Sequence, residues 1–205
     1  MKKISLTIAI ILFISISSLI LMLTTTGVQT NKFNNLISDK ASRTKNISLD
    51  LDTIKFKIDI KDFSLFLETQ RPIIKYNEIF IPIKNIKAYV DFLSLLKSET
   101  KIKKTSIALE ELDISQLKKL SVFIKPSNFK NFFEKIKNGK LISEIDIFSN
   151  DQGTLDNFIA KGSIEDLNVE LYDNIIFSNS NLNFFADKND ILIKNIFGNL
   201  SGINI

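Results

Sequence analysis

The side chains that could do chemistry here are few in kind. Among 205 residues there is no histidine and no cysteine. That removes the imidazole base, the thiolate nucleophile, zinc and iron–sulfur ligation, and the disulfide together. What recurs at regular spacing is apolar. Phe56, Ile58 and Ile60 alternate with Lys55, Lys57, Asp59 and Lys61, and Phe63 and Leu65 continue the series. Ile79 and Ile81, and later Val169, Leu171, Leu182 and Phe184, follow the same period of two. Left open as a groove, such a face solvates lipid acyl chains at about 0.8 kcal/mol per methylene, and it needs no catalytic residue to do so. Closed against a second layer, the same residues make an ordinary sandwich or sheet-on-helix core, and alternation does not separate the two. No catalytic residue, metal ligand or cofactor is expected. There is no Gly-rich phosphate loop, and Asp187 to Asp190 is too short for a calcium loop.

The element that positions everything else is the uncharged run Ile4 to Leu23, with Leu12 at its middle, directly after Met1-Lys2-Lys3. At about 1.5 Å per residue it reaches about 30 Å, the thickness of a bilayer's hydrocarbon core. A cleavable signal peptide is the rival. It calls for a shorter apolar core and a small-x-small site, whereas Thr24-Thr25-Thr26-Gly27 follows here, so an uncleaved anchor over residues 1–30 is favoured. Lys2 and Lys3 face Lys32, Lys40 and Arg43 across the span, so charge alone does not orient it. The short leading segment and the long following domain favour a cytoplasmic N-terminus.

Phe33, Leu36, Ile37 and Ala41 predict a juxtamembrane helix within residues 31–45. Residues 46–205 then read as one mainly β, antiparallel domain with short helices. A hairpin is expected from Ile73 to Ile83 across Asn77-Glu78, with Pro82 at an edge or bulge. A short strand is expected over Ile86 to Val90, a helical turn from Asp91, and a strand from Ser106 to Glu110. Asp113-Ile114-Ser115 opens a helix carrying Leu117, Leu120 and Ile124 up to Pro126. Phe129, Phe132, Phe133 and Ile136 predict a second helix ended by Gly139, which packs on the sheet or rests on an anionic membrane surface. Lys101, Lys103 and Lys104 read as a solvated strand edge. From Leu141 onward, turn signals near Asn150, Asp173 and Asp187 punctuate short strands into a meander. The net charge of +4 is spread among interleaved acids and bases, so nucleic acid is not an expected partner.

The segments Gly162 to Leu171, Asn181 to Phe184 and Ile193 to Gly198, together with the lone N-terminal anchor and the Ile86 to Phe92 strand, resemble the AsmA-like envelope proteins related to TamB. The resemblance covers most of the chain and lies in texture, not in an invariant motif. It implies an inner-membrane anchor followed by an elongated, chorein-like β-groove in the periplasm of a Gram-negative bacterium. Such a groove carries phospholipid acyl chains towards the outer membrane. Proteins of that family are several times longer, and the expectation is that the chain continues past Ile205. The partners implied are phospholipid, the inner membrane and other envelope proteins. A scaffolding envelope protein with a closed β core is the alternative.

Overall fold

The computed structural model describes the chain apart from residues 1, 32–33, 35–37, 39–45, 62–63, 91–101, 122–133, 151, 153, 173–174 and 205. Helix α1 (Lys2–Thr25) contains a stretch from Leu6 to Thr25 whose length and mean hydropathy of 2.7 suffice to cross a membrane. Its last turn is closed by side chains: the Thr24 and Thr25 hydroxyls donate to the Leu21 carbonyl at 2.9 and 2.7 Å. Gly27 then ends the helix in the left-handed region (φ 72), its N–H donating to the Met22 carbonyl at 2.9 Å. A Cβ at Gly27 would sit 2.7 Å from the Phe56 carbonyl oxygen. The chain therefore leaves the helix straight into the sheet, with no spacer.

The sheet begins there. Strand β1 (Val28–Thr30) pairs antiparallel with β3 (Ile54–Asp59), setting Val28 opposite Phe56. The strands β4 (Ser64–Gln70), β6 (Ile79–Val90), β7 (Ile102–Leu109), β9 (Ile136–Ser149), β10 (Leu155–Tyr172), β11 (Ile175–Asp187), β12 (Ile191–Leu200) and β13 (Ile203–Asn204) follow. The pairing order is β1-β3-β4-β6-β7-β9-β10-β11-β12-β13, antiparallel throughout. Three short strands extend it: β2 (Ile47–Asp50) pairs with β5 (Ile73–Tyr76), which pairs with the first part of β6, and β8 (Leu112–Asp113) pairs with β9. The β5–β6 hairpin turns on Asn77 and Glu78, both at positive φ (47° and 64°), the two-residue geometry that matches strand twist.

Helix α2 (Ile114–Ser121) opens as the sequence predicts, with Asp113 Oδ1 accepting the Ser115 N–H at 2.7 Å. Ile114 and Leu117 close over the sheet, where Ile136, Leu167, Val169 and Phe177 form the buried cluster and Ile164, Leu182 and Leu200 pack around it.

The mainly β, antiparallel prediction agrees with this sheet, and the turns at Asn77-Glu78 and at Asp187 to Asp190 fall where punctuation marked them. Several strands are longer than the sequence suggests. Ile86 to Val90 is the second half of β6, and the segments either side of Asp166 form one 18-residue strand, because β-bulges let a strand change register without ending. The helix over Phe129 to Gly139 is corrected at its described end. Ile136 is a strand residue only 2% exposed, and Gly139 lies inside β9, since the buried cluster takes Ile136 into the sheet. Phe129, Phe132 and Phe133 lie outside the described residues, as do the helical turn from Asp91 and most of the juxtamembrane helix. The strand holding Lys103 and Lys104 is no edge, for β7 is paired on both sides.

Replacing Gly27 by alanine should cost about 1–2 kcal/mol, from the positive φ and the contact with Phe56. A lower thermal midpoint followed by β-sheet circular dichroism is the expected result. An unchanged midpoint would mean that the helix exit can relax away from β3.

Candidate functional site: a one-sided apolar face

Residues directly opposite in an antiparallel pair lie on the same face, so the register traces each face across the sheet. One row runs Val28, Phe56, Leu67, Ala88, Thr105, Ile147, Phe158. The next row on that face runs Ile54, Thr69, Ile86, Ile107, Ile145, Ala160, Ala186, Ile191. Ile58 pairs with Leu65 and Leu65 with Val90, while Leu141 pairs with Ile164 and Ile164 with Leu182. The result is one apolar face from the strand joined to α1 to β12. Most of its side chains are half-buried, neither sealed nor fully exposed.

The reverse face is mainly polar, although Phe66, opposite Lys57 and Tyr89, is buried on it and Phe148 and Ile159 also stand there. Lys55, Glu68, Lys87, Ser106 and Asp146 stand opposite one another across five strands. Glu68 is buried between Lys57 at 2.7 Å and Lys87 at 3.9 Å. Asp146 accepts the Ser106 hydroxyl at 2.5 Å and pairs with Lys104 at 2.9 Å, and the Lys104 ammonium also lies 5.3 Å from the Tyr89 ring centre. Partial burial pushes the Asp146 carboxyl up, but the Ser106 hydrogen bond and Lys104 outweigh it and hold the group below the usual carboxylate range. Burial pushes the Tyr89 hydroxyl up, although Lys104 opposes it.

Of the residues singled out in the sequence, Phe56, Ile58, Leu65, Leu182 and Phe184 come together on the apolar face, all half-buried. Ile79 and Ile81 lie on the β5–β6 hairpin, opposite Tyr76 and Ile74. They share the period of two with Ile83, which stands opposite Leu109 and so joins that hairpin to the same face. Val169 is different: at 4% exposure it is sealed under α2 as core. Leu171 is exposed, Ile60 lies just past the end of β3 at 56% exposure, and Phe63 lies outside the described residues. Sequence reading missed Val28, Leu67, Ile107, Ile145 and Phe158. Val28 has no alternating neighbours, whereas the others do alternate and only pairing shows which face they share.

Among the described residues no group of three or more acidic side chains is placed to hold a metal ion. Compared with family models, curated proteins and solved structures, the chain matches none.

Because the folded Asp146 carboxyl titrates below its unfolded value of about 4, its stabilisation is present above about pH 4 and is lost as the pH falls through the folded value. Asp146→Asn should therefore cost about 1 kcal/mol at pH 7 and much less at pH 3, read from denaturant unfolding of both chains. An equal cost at the two pH values would show that the ion pair does not contribute.

Proposed function

We propose that the protein is a membrane-anchored, AsmA-like envelope protein that holds lipid acyl chains against the apolar face of its sheet. In this reading α1 is an uncleaved inner-membrane anchor and the sheet lies in the periplasm. The protein contributes to phospholipid transport between inner and outer membrane, and it is not an enzyme. The observation that carries the proposal is the continuity of the face. It starts at Val28, within three residues of the end of α1, and runs row after row to Ile191, and between those two exposed residues most of its side chains are half-buried. Acyl chains need no directional partner, and about ten methylenes placed there would yield several kcal/mol after ordering costs.

The second reading is a scaffolding envelope protein with a closed β core that binds other envelope proteins. One observation favours it: under α2 the face is sealed, with Ile114, Ile136 and Val169 at 1–4% exposure. The two readings differ over the uncovered rows, and adjacent residues Phe184 and Phe185 sample opposite faces there.

Photo-crosslinking separates them. A benzophenone amino acid at position 184 or 56 should capture phospholipid in intact cells, whereas the same group at position 185 should capture far less. Protein adducts without lipid at position 184 would favour the scaffold. Equal lipid capture at 184 and 185 would mean non-specific contact with the bilayer and would end the groove proposal.

A further inference from the structure

Where α1 meets the sheet there is a cavity of about 500 Å³, and Met22, Thr25, Gly27, Gln29, Lys55 and Lys57 are among the residues that line it. That volume falls within the roughly 300–1,000 Å³ of small-ligand sites. The chain itself sets its depth in a membrane. Thr25 ends the apolar stretch Leu6 to Thr25, and β1 begins three residues later with no spacer. The cavity therefore opens in the layer just outside the hydrocarbon core, where lipid headgroups lie. Its charge is of one sign. Lys55 and Lys57 are two residues apart on β3 and share the reverse face, with Gln29 opposite Lys55. A Cβ at Gly27 would fall 2.8 Å from Lys57 Cγ, so the Lys57 stem lies against the helix exit while its ammonium reaches Glu68 at 2.7 Å. Glu68 also faces Lys87 at 3.9 Å, so one carboxylate answers two lysines. Lys55 makes no ion pair among the described residues, and none of the described residues lining the cavity is acidic.

We propose that this cavity binds the phosphate of an anionic phospholipid in the leaflet at the C-terminal end of α1. The ligand's chemistry follows from the donors. The Thr25 hydroxyl already donates to the Leu21 carbonyl, so the groups left to meet a ligand are the Lys55 and Lys57 ammoniums and the Gln29 amide, all donors to phosphate oxygens. A headgroup that carries its own ammonium finds no carboxylate in the cavity, so a net negative headgroup is preferred to a zwitterionic one. Lysine suits the depth, because its stem lies along apolar surface while its charge stays in the headgroup layer. The acyl chains of such a lipid remain in the bilayer beside α1. Val28 and Phe56 stand on one face of the β1–β3 pair and Gln29 and Lys55 on the other, so this site is separate from the apolar face. The inference rests on the anchor in the reading above, with α1 spanning a bilayer, and not on what the apolar face holds.

The test uses the full chain in detergent micelles that carry equal amounts of phosphatidylglycerol, which is net anionic, and zwitterionic phosphatidylethanolamine, with bound lipid counted by native mass spectrometry. One phosphatidylglycerol should be retained in preference, and Lys55→Gln should reduce that preference about fivefold. Lys55→Arg should keep it, and so should Lys194→Gln, which removes the same charge from β12. An equal loss in Lys194→Gln would mean attraction to net charge alone and would overturn the proposal. So would displacement of the lipid by excess inorganic phosphate, which would make the cavity a site for a soluble anion. An unchanged preference in Lys55→Gln with a lower thermal midpoint would also overturn it, for the lysine would then act only on the carbonyl end of α1. The anchor is scored separately, by resistance of the full chain to alkaline extraction from phosphatidylcholine vesicles. A chain that is extracted would overturn both the anchor and this site, whereas a chain that resists extraction but shows no lipid preference would overturn the site alone.

Discussion

Everything in this sheet depends on one rule of antiparallel pairing: residues directly opposite share a face. Once Val28 and Phe56 are paired, the side of the sheet on which Leu67, Ala88, Ile147 and Phe158 stand is settled without further choice. A slip of one residue in any central pair would turn the Lys55, Glu68 and Lys87 row onto the apolar side. Lys57 and Lys87 on Glu68, and Lys104 on Asp146, oppose such a slip, since each ion pair forms only when its strands are in register. Glu68 is buried, so a slip that separated it from both lysines would leave a carboxylate without a partner. The pairs thus act on register as well as on stability.

The rule is suspended where bulges occur, and the bulges are gathered. Asp166, Asn179 and Asn195, on three adjacent strands, all adopt positive φ, and register shifts accompany them in the β9–β10, β10–β11 and β11–β12 pairs. A bulge leaves ladder groups unpaired. Asparagine amides and carbonyls take their place: Asn168 Nδ2 donates to Asn138 Oδ1 at 2.6 Å, the Asn179 N–H donates to Asn168 Oδ1 at 2.9 Å, and the Asp166 N–H donates to Asn181 Oδ1 at 3.0 Å. Asparagine suits these positions because it tolerates the left-handed region and carries both donor and acceptor. The buried cluster under α2 lies beside this row, so the closed part of the core is found where regular alternation is interrupted.

This explains what could be read from the sequence. Strand against helix was legible wherever period two was unbroken, as from Ile54 to Asp59, and so were the turn marked by Asn77-Glu78 and the helix start at Asp113. Strand length was not, because a bulge at Asp166 looks like a loop in one dimension. Nor was Ile136 legible. Phe129, Phe132, Phe133 and Ile136 fit a helical stripe by spacing, yet tertiary burial puts Ile136 in β9. Of the apolar face, alternation identified Phe56, Ile58, Leu65, Leu182 and Phe184 as candidates. It could not distinguish Val169, which shares their pattern and is sealed by a helix distant in sequence.

The two-faced pattern itself fades toward β12, and a different constraint must then hold the last strands in place. Between β11 and β12 the reverse face carries Asn183 opposite Lys194 and Phe185 opposite Leu192, with no ion pair among the described residues to penalise a slip. Sterics take over. Ser180 is fully buried, and a Cβ on Gly198 would fall 2.1 Å from its Oγ and 2.7 Å from its Cβ. Only a residue without a side chain can stand there, so Gly198 locks β12 against β11 at one position. Leu200 packing beside the buried cluster near Phe177 fixes a second. Two fixed points define a register that patterning would leave loose.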